Sequence, residues 1–169
     1  IMSHIRNLLI VLVSFPLFAL SAPSEPVMSA VKKESTPYLE TLKSLVSIES
    51  GSGDREGLDK ISSLIAEKLR DLGGKVEFIE AGPDLYKMFD TPARPGRMVH
   101  AQFNGAGTKK ILLIAHMDTV YLRGMLADQP FRIDGNRAYG LGISDDKQGI
   151  AMILHTLKVL KDTNFNNYG

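Results

Sequence analysis

The stretch Ile111-Leu112-Leu113-Ile114-Ala115-His116-Met117-Asp118 decides how this chain should fold. Its first five residues are short, unbroken and apolar on both alternating faces, the pattern of a central strand in a covered sheet. Lys109-Lys110 reads as the solvated start of that strand. Upstream, from Thr36, Leu39, Leu42, Leu45 and Val46 recur at three and four with Pro37 suited to a first helical position. Ser50-Gly51-Ser52-Gly53 breaks the pattern. A second helix starts at Asp54, an N-cap residue, carries Leu58, Ile61, Leu64, Ile65, Leu69 and Leu72, and ends at Gly73-Gly74. The period then changes: Val76, Phe78 and Ile79 suggest one strand, and Met98, Val99, Ala101 and Phe103 another. Downstream, residues 133–137 look like a hairpin turn. A last helix runs from about Lys147 to Lys161 on Ile150, Ile153, Leu154, Leu157 and Leu160. Helices alternating with strands predict an α/β sandwich with a mostly or partly parallel sheet, whose ligands bind beyond the carboxyl ends of the strands.

Composition narrows the chemistry. The 169 residues can bury a sizeable core, and 44% hydrophobic with 23% charged residues is ordinary for a globular chain. A net charge of +1, from 20 basic and 19 acidic residues, gives no reason to expect nucleic acid or an acidic membrane surface as partner. There is no cysteine, so thiolate metal sites, disulfides and a cysteine nucleophile are excluded. Any metal must be held by His, Asp or Glu.

The first residues carry an export pattern. His4 and Arg6 precede an apolar run from Leu8 to Leu20 that is too short for a membrane-spanning helix of about 20 residues. Ala19-Leu20-Ser21 supplies small residues for cleavage before Ala22, so residues 1–21 read as a secretory signal and predict a periplasmic or secreted protein. The rival is an uncleaved anchor. Residues 22–35, polar and with two prolines, read as a linker, and 36–169 as the folded part.

Two elements carry candidate chemistry. In the first, His116 at a strand end is followed two residues later by Asp118, an imidazole ligand beside a carboxylate able to orient it. Such a triplet alone says little, since most sit in ordinary loops. The second is Gly140-Leu141-Gly142-Ile143-Ser144-Asp145-Asp146-Lys147. Two carboxylates before a helix would repel a phosphate where a glycine loop should welcome it, and serve better as ligands for a cation. The competing reading is a turn with an Asp cap on the last helix. His155 on its apolar helix reads as a packed, hydrogen-bonded histidine, and His100 likewise. Tyr121 and Arg123 either line a site entrance or lie on the surface.

Together, Ala115-His116-Met117-Asp118-Thr119-Val120-Tyr121, Pro130-Phe131-Arg132, Ala138 through Lys147, Ile153-Leu154-His155-Thr156-Leu157 and Ile48 through Gly53 resemble the periplasmic glutamate carboxypeptidases of the aminoacylase/carboxypeptidase family of co-catalytic zinc hydrolases. The resemblance covers roughly Thr36 to Gly169. It implies a three-layer α/β sandwich with a mostly parallel mixed sheet, and two zinc ions in the complete site. His116 would bind one zinc, Asp145 would bridge both, and Asp118 would hold His116 from behind. The Asp145-Asp146 peptide would be cis. The implied activity is release of a C-terminal amino acid, glutamate foremost, from a peptide or N-acyl substrate by a homodimer. An N-acyl-amino-acid deacylase or dipeptidase shares the same motifs, and a non-catalytic periplasmic binding module is the rival of another class. The family site also uses a Glu-Glu pair, a further carboxylate and a distant histidine, so the resemblance implies an N-terminal part that is inactive alone. The family usually has two glycines after the lysine, whereas Gln148-Gly149 stands here, which bears on close packing at that turn.

Overall fold

A computed structural model describes residues 24–169. The expected leader and its cleavage point lie outside the described residues. Among the described residues no helix is long and apolar enough to cross a membrane.

The described residues contain four α-helices: α1 (Glu25–Lys33), α2 (Ser35–Val46), α3 (Arg55–Asp71) and α4 (Gln148–Asp162). The core joins the apolar stripes of three of them, with Leu42, Leu45 and Val46 from α2, Ile61, Ile65 and Leu69 from α3, and Ile150, Ala151 and Leu154 from α4. Each stripe follows the three-and-four spacing that puts residues on one helix face. Leu64, Leu72 and Leu157 pack only partly buried at the edges of this cluster. Val159, absent from the expected face of α4, is buried instead. The cap of α3 is as expected: Gly57 N–H donates to Asp54 Oδ1 at 3.0 Å.

α1 occupies the stretch expected as a linker. It buries no residue, yet Pro26 lies in its first turn, Glu25 sits at its start and Lys32 and Lys33 at its end. That charge order suits the helix dipole, and a proline in the first turn removes no intrahelical hydrogen bond. Pro26 therefore begins the helix.

The sheet departs from expectation. β1 (Lys75–Ile79) and β2 (Met98–Gln102) pair antiparallel with Phe78 opposite Val99, and Val76 and Val99 pack inward toward the helical core. β3 (Arg132–Asp134) and β4 (Arg137–Tyr139) form a second antiparallel pair, closed by Gly135 at φ 59° in the expected hairpin turn. No parallel ladder forms among the described residues, apart from an isolated parallel bridge between Gly51 and Thr119. The expected central strand at residues 111–115 lies in no ladder. Ile111, Leu112 and Ile114 are 74%, 79% and 80% exposed. A strand apolar on both faces is stable only between paired neighbours and under covering layers, and the described residues lay neither against it. His100 is corrected as well: it pairs across the ladder with Glu77, at 2.7 Å, on the exposed face of β2.

Asp54 both caps α3 and receives the Arg123 guanidinium, at 2.5 Å. The Arg123 hydrogen bond, then the Gly57 N–H, hold its carboxyl below the ordinary value against a smaller opposing effect of burial. A depressed carboxyl stabilises the fold above its unfolded pKa, and that contribution disappears as pH falls through the lower folded value. Asp54→Ala should therefore cost about 1 kcal/mol at neutral pH. The difference from the unsubstituted chain should shrink below the ordinary aspartate value of 3.8, as followed by urea unfolding across acid pH.

Candidate metal centre

His116 and Asp118 leave the end of the apolar stretch, and Asp145 sits in the irregular turn Ile143–Lys147 that leads into α4. Asp145 (φ −141°, ψ 87°) and Asp146 (φ −134°, ψ 33°) are off helical geometry, and the peptide joining them is cis. Gly142 opens this turn at φ 67°, a conformation that glycine adopts without steric cost. Here two segments 29 residues apart in sequence meet. His116 Nε2 lies 2.8 Å from Asp145 Oδ1, while His116 Nδ1 faces the Asp118 carbonyl at 3.1 Å and Asp118 Oδ1 at 3.2 Å.

Both partners at Nδ1 are acceptors, so Nδ1 carries a proton. On a neutral ring Nε2 would then present a lone pair to the Asp145 oxygen, two acceptors face to face. The contact needs a proton on one of the two groups or a metal ion held by both. Burial is the largest single influence on the imidazole and pulls its pKa down. The Asp145 hydrogen bond, the Asp118 carbonyl and the two carboxylate charges together outweigh it and hold His116 above its ordinary value.

The donors suit zinc in type, since imidazole nitrogen and carboxylate oxygen are both ordinary zinc ligands. Bonds of about 2.0–2.2 Å at a tetrahedral centre separate two ligands by roughly 3.4 Å. The present pair would need to open by about half an ångström, which two side chains 52% and 86% exposed can do. Among the described residues no group of three or more His, Asp or Glu forms a closed cage. The arrangement is thus an imidazole and a carboxylate that converge, with a second carboxylate behind the imidazole.

The segment preceding α3 also builds the site, and its pattern in the sequence carried no assigned role. Ser52 Oγ donates to Asp118 Oδ2 at 2.7 Å, so that carboxylate is held on both sides. Ser50 Oγ donates to the Met117 carbonyl, and Thr119 and Ser50 share a backbone bond. Glu49 accepts from the N–H groups of Gly124 and Leu126 at 2.7 and 2.9 Å. Lys147, 1% exposed, donates through Nζ to the Ile48 carbonyl at 2.7 Å. Burial pulls its pKa down to about 8, against the opposing charge of Glu49.

Other candidates fall into place around this centre. His155 is packed, its ring nitrogens at 2.5 Å from Glu34 and 2.9 Å from Thr41, with Tyr38 edge-on. Arg123 binds Asp54 and Glu56, a structural anchor for the loop after Thr119. Tyr121 is half-buried beside Lys147 and Glu49, lining a small cavity. Gln148 is exposed, with Nε2 3.3 Å from the Ser144 carbonyl, so the departure from two glycines meets no obstacle. The close approach falls on Gly149, where a Cβ would lie 2.4 Å from Asp146 Oδ1.

Comparison with known proteins agrees with these motifs. Residues 112–169 match the profile of peptidase family M20/M25/M40. Carboxypeptidase G2 from Pseudomonas sp. (strain RS-16) is 40% identical over 143 residues, covering 85% of this chain and 32% of that protein. Acetylornithine deacetylase from Klebsiella pneumoniae (strain 342) is 33% identical over 135 residues, covering 76% of this chain and 33% of that protein. In fold, the chain superposes on human carnosine dipeptidase 1 with a TM-score of 0.68 at 20% identity, over 83% of this chain and 31% of that one. The chain thus spans about a third of the length of the curated relatives it matches. The family resemblance carried by the motifs is borne out.

Gly51 is a tight point of the arrangement, since a Cβ there would lie 2.4 Å from the Tyr121 carbonyl oxygen. Gly51→Ala should cost about 1–3 kcal/mol, the usual penalty of overpacking against atoms that cannot yield. Gln148→Gly should cost no more than about 1 kcal/mol, the helix-propensity difference at an exposed site. Urea unfolding of the two variants checks the order.

Proposed function

We propose that this chain is the metal-binding stretch of a zinc-dependent hydrolase that releases a C-terminal amino acid, glutamate foremost, from a peptide or N-acyl substrate. The observation that carries this is the convergence of His116 Nε2 and Asp145 Oδ1 at 2.8 Å with Asp118 behind the imidazole. His116 would bind one zinc and Asp145 would bridge two, the latter role suiting a carboxylate with two anionic oxygens. Bound zinc would supply Lewis-acid polarisation of the scissile carbonyl and a lowered pKa for a water. The residues of this chain do the holding: Asp118 fixes the ring and tautomer of His116, and the Ile143–Lys147 turn presents Asp145. Two ligands cannot hold two dications tightly, so we expect the remaining ligands and the general base to come from beyond these residues, and these 169 residues to be inactive alone.

The wider reading follows the same resemblance. The complete catalytic domain would be a three-layer α/β sandwich with a mostly parallel mixed sheet, in which residues 111–115 are the natural central strand. The protein would be exported to the periplasm or secreted, without a stable membrane anchor, and would work as a homodimer. A second reading within the class, an N-acyl-amino-acid deacylase, is favoured by the 33% identity to a protein named acetylornithine deacetylase. Comparing glutamate release from an N-acyl-glutamate with acetate release from an N-acetyl amino acid distinguishes the two.

In the enzyme that carries this stretch, Asp145→Ala should abolish turnover and zinc content together. Asp118→Ala should lose about 10–100-fold in activity or affinity while retaining more metal. Zinc counted by atomic absorption after dialysis checks the split, and equal, near-complete loss in both variants would contradict it. N-terminal sequencing of the exported protein should begin at Ala22, and a chain still beginning at Met2 would refute the leader.

A further inference from the structure

We infer that Ser52 is a positioning residue for the metal ligand His116, acting through Asp118; this rests on the zinc reading above. The Asp118 carboxylate faces His116 Nδ1 with one oxygen and receives the Ser52 hydroxyl on the other. Those are its two side-chain partners in the described structure. The Ser52 hydroxyl also lies near the Thr119 carbonyl, but at 3.2 Å against 2.7 Å, so its single proton goes to the carboxylate. The Asp118 side chain is 45% exposed. Without the hydroxyl it would be free to turn toward water, and His116 Nδ1 would keep the Asp118 backbone carbonyl at 3.1 Å but lose the carboxylate beside it.

Ser52 can serve because its backbone is fixed independently. Its N–H donates to the Thr119 carbonyl at 2.9 Å, and Thr119 N–H returns a bond to the Ser50 carbonyl at 2.8 Å. Gly51 permits this close zip against the strand end, and Lys147 pins Ile48 on the other side of the segment. The same segment therefore touches the strand end that carries His116 and the turn that carries Asp145. Ser52 is the member of it whose side chain reaches the ligand system.

The test measures zinc affinity, by competition with a chromophoric chelator, in the full-length protein. The unsubstituted protein is compared with Ser52→Ala, Ser52→Thr, Asp118→Ala and the Ser52→Ala/Asp118→Ala pair, with the Co(II) absorption spectrum as a report on ligand geometry. Ser52→Ala should weaken zinc about tenfold, the low end for partners that orient ligands, and change the cobalt spectrum. Ser52→Thr, which keeps the hydroxyl, should stay within about threefold of the unsubstituted protein, well inside that orienting effect. In the Asp118→Ala background, Ser52→Ala should add nothing, because the bond it removes is already gone. An undiminished affinity in Ser52→Ala would overturn the inference. So would the same loss in Ser52→Thr, or a full further loss in the Asp118→Ala background. Absence of any His116-dependent zinc binding in the unsubstituted protein would instead overturn the functional reading, and this inference with it.

Discussion

The buried ammonium of Lys147 is the contact on which the arrangement of the site depends. Taking a charged group out of water costs several kcal/mol unless it is compensated. Here the Ile48 carbonyl receives it at 2.7 Å, with the Glu49 carboxylate nearby in support, and burial still draws its pKa down to about 8. Such a group tolerates few positions. It therefore ties the turn that presents Asp145 to the segment 48–52, which is in turn zipped to Thr119 and Met117. The direct polar contact between the segments that carry His116 and Asp145 is the exposed pair itself, so among the described residues the buried support between them runs through Lys147 and segment 48–52.

Around this tie, the protein uses its small and polar residues economically. Gly51 and Gly57 let backbone approach where a side chain would collide with the carbonyl oxygens of Tyr121 and Glu49. Glu49 caps the turn at Met125–Ala127 with two N–H bonds, and Asp54 both caps α3 and anchors Arg123. A single stretch, Glu49 to Asp54, thus organises the loop after Thr119, the start of α3 and the carboxylate behind His116. The helical core supplies a rigid base for it, since Leu45 and Val46 at the end of α2 are fully buried just before this stretch begins.

The exposed apolar stretch 111–114 marks the opposite condition. Apolar residues 46–80% exposed in a continuous run are uncommon on a monomer surface and signify a surface that expects cover. The strand end nevertheless holds His116 in place, because Thr119, Ser50 and Ser52 fix it from the other side. The His116–Asp145 geometry is therefore decoupled from the sheet that the apolar pattern calls for.

What the residues determined by themselves was local. Helical spacing gave α2, α3 and α4 nearly as they stand, Asp54 was legible as a cap, the hairpin at Gly135 followed from turn chemistry, and the pairing of His116 with Asp145 was legible from motif and resemblance together. These rest on interactions within a few residues or on chemistry peculiar to one motif. Tertiary structure decided the rest. Whether residues 111–115 pair depends on neighbours far along the chain, and alternation in β2 left His100 outside, although a strand pattern alone does not say which face is wet. Pro26 could end a segment or begin a helix, and the structure places it in the first turn of α1, which lies against α2 and α4. The role of Ser52 was invisible for the same reason: a serine in a glycine-rich turn looks like any other until a carboxylate 66 residues away is brought within 2.7 Å of its hydroxyl.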